Sequence, residues 1–326
     1  MKSILRRHLL RFPAAVALLA AGGLAQAQGH SDYPNRPVKI IVAYPAGQST
    51  DIATRYFANK LSQAMGQSFV VDNKPGASGN IGTALAARAT PDGYTLIMGA
   101  SGTHAMNPAL FDNPGFDAEK DFDAIVLTAL IPFAISTGPN STINSLTELI
   151  ALARKQPGKV DAAIPSVTGQ LVFEMLKQRD VPLFPVKFKG SADSMTALLG
   201  GHVQVLIDTV AATRTQLGRI KPLAVTTVAP MGSMPGVKTA GEQGLANFNI
   251  AAWNALMTPK GVPAEIQAKL ATEMRKILDL PETQKALADL GFERAPVRTT
   301  AELNAWLRDE RRNYLQVIKT AHMKPE

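Results

Sequence analysis

Six short clusters of small polar residues punctuate this sequence. They are Gly47-Gln48-Ser49-Thr50-Asp51, Ser78-Gly79-Asn80, Ser101-Gly102-Thr103-His104, Ser166-Val167-Thr168-Gly169, Lys189-Gly190-Ser191 and Asp208-Thr209. Hydroxyls are neutral hydrogen donors. Where a helix begins, its first amides lack partners within the helix and the positive end of its dipole faces outward. The combination suits an anion, a carboxylate above all. Any one cluster taken alone is better explained as a helix cap. The same chemistry recurring where strands end, the edge at which open α/β sheets bind ligands, points to an anion-binding cleft.

Covalent chemistry has less support. Gly76-Ala77-Ser78-Gly79 and Gly99-Ala100-Ser101-Gly102 approach a nucleophile elbow, but Asn80 and Thr103 stand where its last glycine belongs. His104 follows Ser101 by three residues, and no acid is spaced to orient it. A secreted serine hydrolase using Ser101 or Ser78 with His104 is therefore the alternative from a different class. Gly76-x-x-Gly79-x-x-Gly82 looks like a dinucleotide loop with the wrong first spacing, and a turn made of glycines accounts for it. There is no Walker A sequence and no His-Glu-x-x-His. No metal or cofactor is expected. The 326 residues include no cysteine, which excludes disulfide scaffolds, thiolate metal sites and thiol nucleophiles.

The first 27 residues read as a secretory signal. Lys2, Arg6, Arg7 and Arg11 form a basic start, residues 12–24 are apolar and uncharged, and Ala25-Gln26-Ala27 is a small-x-small cleavage pattern. The apolar stretch is shorter than the ~20 residues that span a bilayer. Cleavage after Ala27 removes four basic and no acidic residues from a net charge of +8, leaving +4. That balance, without a dense basic face, does not suit nucleic acid. A soluble monomer in the periplasm is expected.

These loops must be positioned by the elements between them. Apolar runs over 38–43, 69–71, 94–98, 160–164, 184–188, 203–207 and 223–228 read as strands. Helical spacing falls over 51–65, with Ser49 or Thr50 as cap, then after 76–82, over 146–155, 170–177 and 191–199. Residues 263–278, 281–290 and 301–320 read as three closing helices, the last opened by a capping box at Thr299 and Glu302. Strands alternating with helices mean α/β with mostly parallel sheets. Two long β-prone runs, 124–136 and 250–257, bracket the middle. Pro132 in the first marks an edge, a bulge or a change of sheet. The simplest architecture is two α/β lobes, 28–130 plus 251–326 and 131–250, joined by two crossings and closing like a jaw.

Several stretches resemble one family. Tyr33-Pro34-Asn35-Arg36-Pro37-Val38 leads into Tyr44-Pro45-Ala46-Gly47-Gln48-Ser49-Thr50-Asp51. Val71-Asp72-Asn73-Lys74-Pro75-Gly76-Ala77-Ser78-Gly79-Asn80 and Pro91-Asp92-Gly93-Tyr94-Thr95-Leu96 follow. Thr103-His104-Ala105-Met106-Asn107-Pro108, Phe188-Lys189-Gly190-Ser191 and Leu199-Gly200-Gly201 complete the pattern. The chain looks like the Bug family, the TctC-like substrate-binding proteins of tripartite tricarboxylate transport systems. The resemblance implies a two-lobed periplasmic-binding-protein fold of type II, the Venus flytrap, holding a small carboxylate for membrane transporter subunits or for a membrane sensor. On the matching positions it implies ligand contacts from Tyr44, Gly47, Ser49, Thr50, Asp51, Gly79, Thr103 and His104 in the first lobe. Ser166, Thr168, Gly169 and Asp208 follow in the second. Gln48 replaces a customary glycine and would put a side chain at the cleft mouth. Gln170 stands where a histidine is common, and Thr209-Val210 replaces the usual pair after Asp208.

Overall fold

The computed structural model describes residues 32–295, 299–321 and 323. The expected signal segment, 1–27, lies outside them.

The chain runs β1 (Val38–Val42), α1 (Ser49–Met65), β2 (Phe69–Asn73), α2 (Asn80–Ala87), β3 (Thr95–Ala100) and α3 (Asn107–Leu110) before a long strand, β4 (Phe122–Thr137). The middle comprises α4 (Leu146–Lys155), β5 (Asp161–Ile164), α5 (Val167–Lys177), β6 (Phe184–Lys187), α6 (Ser191–Leu199), β7 (Val205–Thr209), α7 (Val210–Arg214) and β8 (Lys221–Val225). It returns through β9 (Ala251–Pro259) to α8 (Ala264–Asp279), α9 (Pro281–Asp289), β10 (Glu293–Arg294) and α10 (Thr300–Thr320). Thr299 and Glu302 form the expected capping box.

The strand order β2-β1-β3-β9-β4-β7-β5-β6, with β8 and β10 also against β4, makes two lobes that share β4. β1 is parallel to β2 and β3, and β5 to β6 and β7. The strands at the crossing are antiparallel: β9 to β3 and β4, and β4 to β7, β8 and β10. The sheets are thus less parallel than strand–helix alternation predicts. The physical reason is that one strand leaves the first lobe and the other returns to it, so the two lie side by side in opposite senses.

Pro132 marks the handover. β4 pairs with β9 from Phe122 to Pro132 and with β7 from Phe133 onward. Proline lacks the N–H that a continuing ladder would need, and it sits where one partner ends and another begins. Thr226 fastens the second crossing beside it. Its amide donates to the Phe133 carbonyl at 2.9 Å, and its hydroxyl donates to the Ile250 carbonyl at 2.6 Å while accepting from the Phe133 amide at 2.9 Å.

The closing helices cover the first lobe. Ile266, Leu270 and Met274 of α8 pack in one cluster with Phe57 and Leu61 of α1. Leu303, Leu307 and Tyr314 of α10 pack with Trp253 of β9 and Met106. Their periodic apolar spacing places these side chains on one helix face, each worth ~1.5–3 kcal/mol on burial. Among the described residues no helix is long and apolar enough to cross a membrane.

Candidate ligand-binding cleft

The loops after the parallel strands of both lobes meet over the crossing and enclose a cavity of about 50 Å³. Tyr44, Gln48, Ser49, Thr50, Ala100, Ser101 and Gly102 line it from the first lobe, and Ser166, Val167, Thr168, Ser191, Asp208 and Thr209 from the second. Ile131, Ala252 and Trp253 of the crossing strands complete it. At ~10–15 Å³ of such space per water, it has room for a few water molecules.

The jaw is shut. Ser49 Oγ lies 2.5 Å from Thr209 Oγ1 across the two walls. At the mouth, a Cβ added to Gly190 would stand 3.0 Å from Gln48 Nε2 and 3.8 Å from Pro45 Cγ. The Gln48 side chain therefore spans the mouth, as its replacement of glycine predicts.

Three helices of eight residues or more begin at the cavity: α1 from the first lobe, α5 and α6 from the second. Their first-turn amides and dipoles carry positive potential to one place. Ser166 caps α5, its Oγ accepting the Gly169 amide at 3.0 Å. In α1 the cap position is Gln48, with no side-chain bond to the helix. Neither Ser49 nor Thr50 caps, contrary to expectation. Both lie inside the first turn, Ser49 toward Thr209 and Thr50 toward Asn254, whose Nδ2 donates to Thr50 Oγ1 at 3.1 Å. Burial pushes the Tyr44 phenol up to about 12, against hydrogen bonds to Thr103, so its hydroxyl keeps its proton. Gly102 leaves space for it: a Cβ there would stand 2.6 Å from Tyr44 Oη.

Among the described residues lining the cavity there is no Lys or Arg, and Asp208 alone can carry charge. Asp208 is 2% exposed. Its Oδ1 accepts the Thr209 amide at 2.7 Å, while Oδ2 is buried without a partner. Burial pushes its carboxyl up to about 6, with hydrogen bonds from Ser191 and Thr209 holding it back in part. The cap of α7 is not Asp208 but Thr209, whose hydroxyl accepts the Ala212 amide.

Of the residues the sequence nominates, Tyr44, Ser49, Thr50, Ser166, Thr168 and Asp208 line the cavity. The others do not. Asp51 faces away and gathers the Gly47 amide, Arg55 Nε and Asn73 Nδ2 at 2.9–3.0 Å. Burial alone would raise its pKa, but the hydrogen bonds from Arg55, Gly47 and Asn73, with the charge of Arg55, outweigh it and lower the carboxyl. Asp51 thus clamps the loop, and the Gly47 amide is occupied by that clamp. Gly79, at φ 94°, packs so that a Cβ would meet Thr103 Cγ2 at 2.6 Å and the Ala43 carbonyl at 3.2 Å. Gly169 serves the cap on Ser166.

Thr103 and His104 lie in a wide helical turn, Gly102–Met106, where spacing alone suggested a loop. His104 is fully buried, its ring edge-on to Phe122 at 4.8 Å and its Nδ1 2.8 Å from Thr103 Oγ1. Burial, and the nearby Arg311 charge, push its pKa down to about 3. It gives its Nδ1 to Thr103 rather than to Ser101 or Ser78. Among the described residues no group of three His, Asp or Glu side chains is placed to hold a metal ion.

The lining residues that sequence reasoning passed over are the apolar Ile131, Ala252 and Trp253. Nothing in their types marks a site. The usable signal was position, since Ile131, Ala252 and Trp253 sit on the two runs read as crossings.

The family model described as tripartite tricarboxylate transporter family receptor matches residues 53–323. The structure of R. palustris Rpa4515 with adipate superposes at a TM-score of 0.85 and 32% identity, covering 90% of this chain and 100% of that one. The periplasmic binding protein BugD is similar at a TM-score of 0.82 and 29% identity, over 90% of this chain and 100% of that one. MatC of Rhodopseudomonas palustris, with bound malate, gives 0.79 and 27%, over 88% and 100%.

Proposed function

The chain belongs to the tripartite tricarboxylate transporter receptor family, and from that premise we propose that it is a periplasmic receptor for a small carboxylate, without catalytic activity, that presents its ligand to the membrane subunits of such a transporter. The observation that carries this reading is the cleft wall: three helix N-termini and a set of hydroxyls converge where no Lys or Arg is present. Neutral donors held in a closed, low-dielectric space bind a carboxylate through charge-assisted hydrogen bonds without a counter-ion. The adipate and malate in two relatives are carboxylates, which fits.

In this reading Tyr44, Ser49 and Thr50 hold the carboxylate from the first lobe, and Ser166, Thr168 and Asp208 engage the rest of the molecule from the second. Gly47, Asp51, Gly79, Thr103, His104 and Gly169 keep the loops in shape. The lobes are 28–130 plus 251–326 and 131–250. The 50 Å³ cavity is the shut state, and the jaw opens about the β4 and β9 crossings to admit the ligand. The leader 1–27 exports the chain, which works as a monomer.

The test is a thermal-shift screen of succinate, malate, glutarate and adipate, followed by calorimetry of each hit and its amide analogue. A ligand at 100 times its Kd stabilises by about 2.7 kcal/mol. The acid is expected to bind and the amide to bind poorly. Thr50→Val should weaken the acid roughly 5- to 150-fold, the range for about 1–3 kcal/mol. Equal affinity for acid and amide would remove the carboxylate from the reading.

A further inference from the structure

We propose that Asn254 is a positioning residue that fixes the Thr50 hydroxyl as a hydrogen donor toward the cleft, and so tunes the cleft for acceptor atoms such as carboxylate oxygens. This rests on the carboxylate reading above.

Asn254 does not line the cavity. It lies on β9 opposite Ala100 of β3 and Ala129 of β4, fully buried. Neighbouring strand residues face opposite ways: Trp253 packs on Trp306 of α10, and Asn254 reaches the first turn of α1. Its backbone is held where β4 bulges, the Thr128 hydroxyl donating to the Asn254 carbonyl at 3.0 Å.

The orientation of the amide follows from its neighbours. Asn254 Nδ2 lies 3.3 Å from the Trp253 carbonyl, 3.5 Å from the Gly99 carbonyl and 3.1 Å from Thr50 Oγ1. Carbonyl oxygens only accept, so the nitrogen of the amide must face them. A flipped amide would set its oxygen against two others. Thr50 Oγ1 meets that same nitrogen and is therefore the acceptor. A hydroxyl that accepts there still has one proton, and Thr50 lines the cavity. The proton is directed at the ligand. Without the amide, nothing holds the hydroxyl as an acceptor on that side, and its proton is no longer fixed toward the cleft.

A double-mutant cycle separates this role from simple packing. Calorimetry with adipate and malate would be run on wild type, Asn254→Leu, Thr50→Val and the double variant. Asn254→Leu is expected to weaken binding roughly 2- to 12-fold, the range of one neutral hydrogen bond, in the wild-type background. In the Thr50→Val background, where no hydroxyl remains to orient, it should change affinity less than about twofold. Should Asn254→Leu yield no folded protein, Asn254→Ala enters the same cycle, because it removes the amide without adding volume. Affinity unchanged by the substitution, or lowered equally in both backgrounds, overturns the role of Asn254 and leaves the carboxylate reading standing. Failure of wild type to bind succinate, malate, glutarate or adipate overturns the carboxylate reading and this proposal with it.

Discussion

Ser49 Oγ on α1 and Thr209 Oγ1 at the end of β7 meet at 2.5 Å, although 160 residues separate them in sequence. The contact joins the two walls of the cleft, and the proposed jaw would break it on opening. Thr209 Oγ1 also accepts the Ala212 amide at 3.2 Å, so it keeps a partner when Ser49 is removed.

Ser49→Ala should therefore leave the unfolding midpoint of the ligand-free protein nearly unchanged. Ligand affinity should fall roughly 2- to 12-fold, since under the proposed hinge only the closed state contains this bond. Calorimetry with a carboxylate that binds wild type, beside urea unfolding of the free protein, measures both. A large loss of stability with intact affinity would place Ser49 in the scaffold instead.

Thr226 holds the Phe133 amide and the Ile250 carbonyl at the crossing. Thr226→Val keeps the shape and leaves both backbone groups buried and unpaired. Stability is expected to fall by about 1–3 kcal/mol, read from urea denaturation. A loss well under 0.5 kcal/mol, on the scale of a neutral surface change, would mean that water replaces the hydroxyl there.

His104 predicts an acid-side weakness. Its pKa falls from 6.5 to about 3 in the folded protein, so below pH 6.5 the unfolded chain takes up the proton first. Its contribution to stability is complete above that pH and is lost as pH falls toward 3, at up to ~1.4 kcal/mol per pH unit. His104→Phe, which fits a ring among Phe116 and Phe122, should flatten the decline between pH 6.5 and 5. Identical slopes for variant and wild type would show that His104 is not the group responsible.

Asp208 acts with the opposite sign. Its folded pKa of about 6 exceeds its ordinary 3.8, so the folded state binds the proton more tightly. Stability is lost as pH rises through the interval from 3.8 to about 6. Asp208→Asn removes the ionisation and should raise stability at pH 7.5 while changing little at pH 3.5. Under the proposed function it should also lower affinity for ligands bearing a hydroxyl or ammonium relative to plain dicarboxylates. Urea curves at the two pH values and a ligand series by calorimetry check the two halves separately.

Much of the architecture follows from local signals. Apolar periodicity marks α8 and α10, the capping box at Thr299 and Glu302 starts α10, and Pro132 marks the change of sheet, because each depends on residues a few positions apart. The six hydroxyl-rich loops also announce a donor-lined cleft before any fold is known. Which of their side chains enter it is another matter. Ser49, Thr50 and Asp51 are consecutive, yet helical rotation sends the first to the opposite lobe, the second toward Asn254 and the cavity, and the third back to Gly47 and Asn73. His104 turns into an aromatic core, and Trp253, chemically unremarked in the sequence, lines the cavity. Ser49 and Thr50 are aimed by partners 160 and 204 residues away, and Asp51 and His104 by Asn73 and Phe122 on neighbouring elements, so only the tertiary structure decides them.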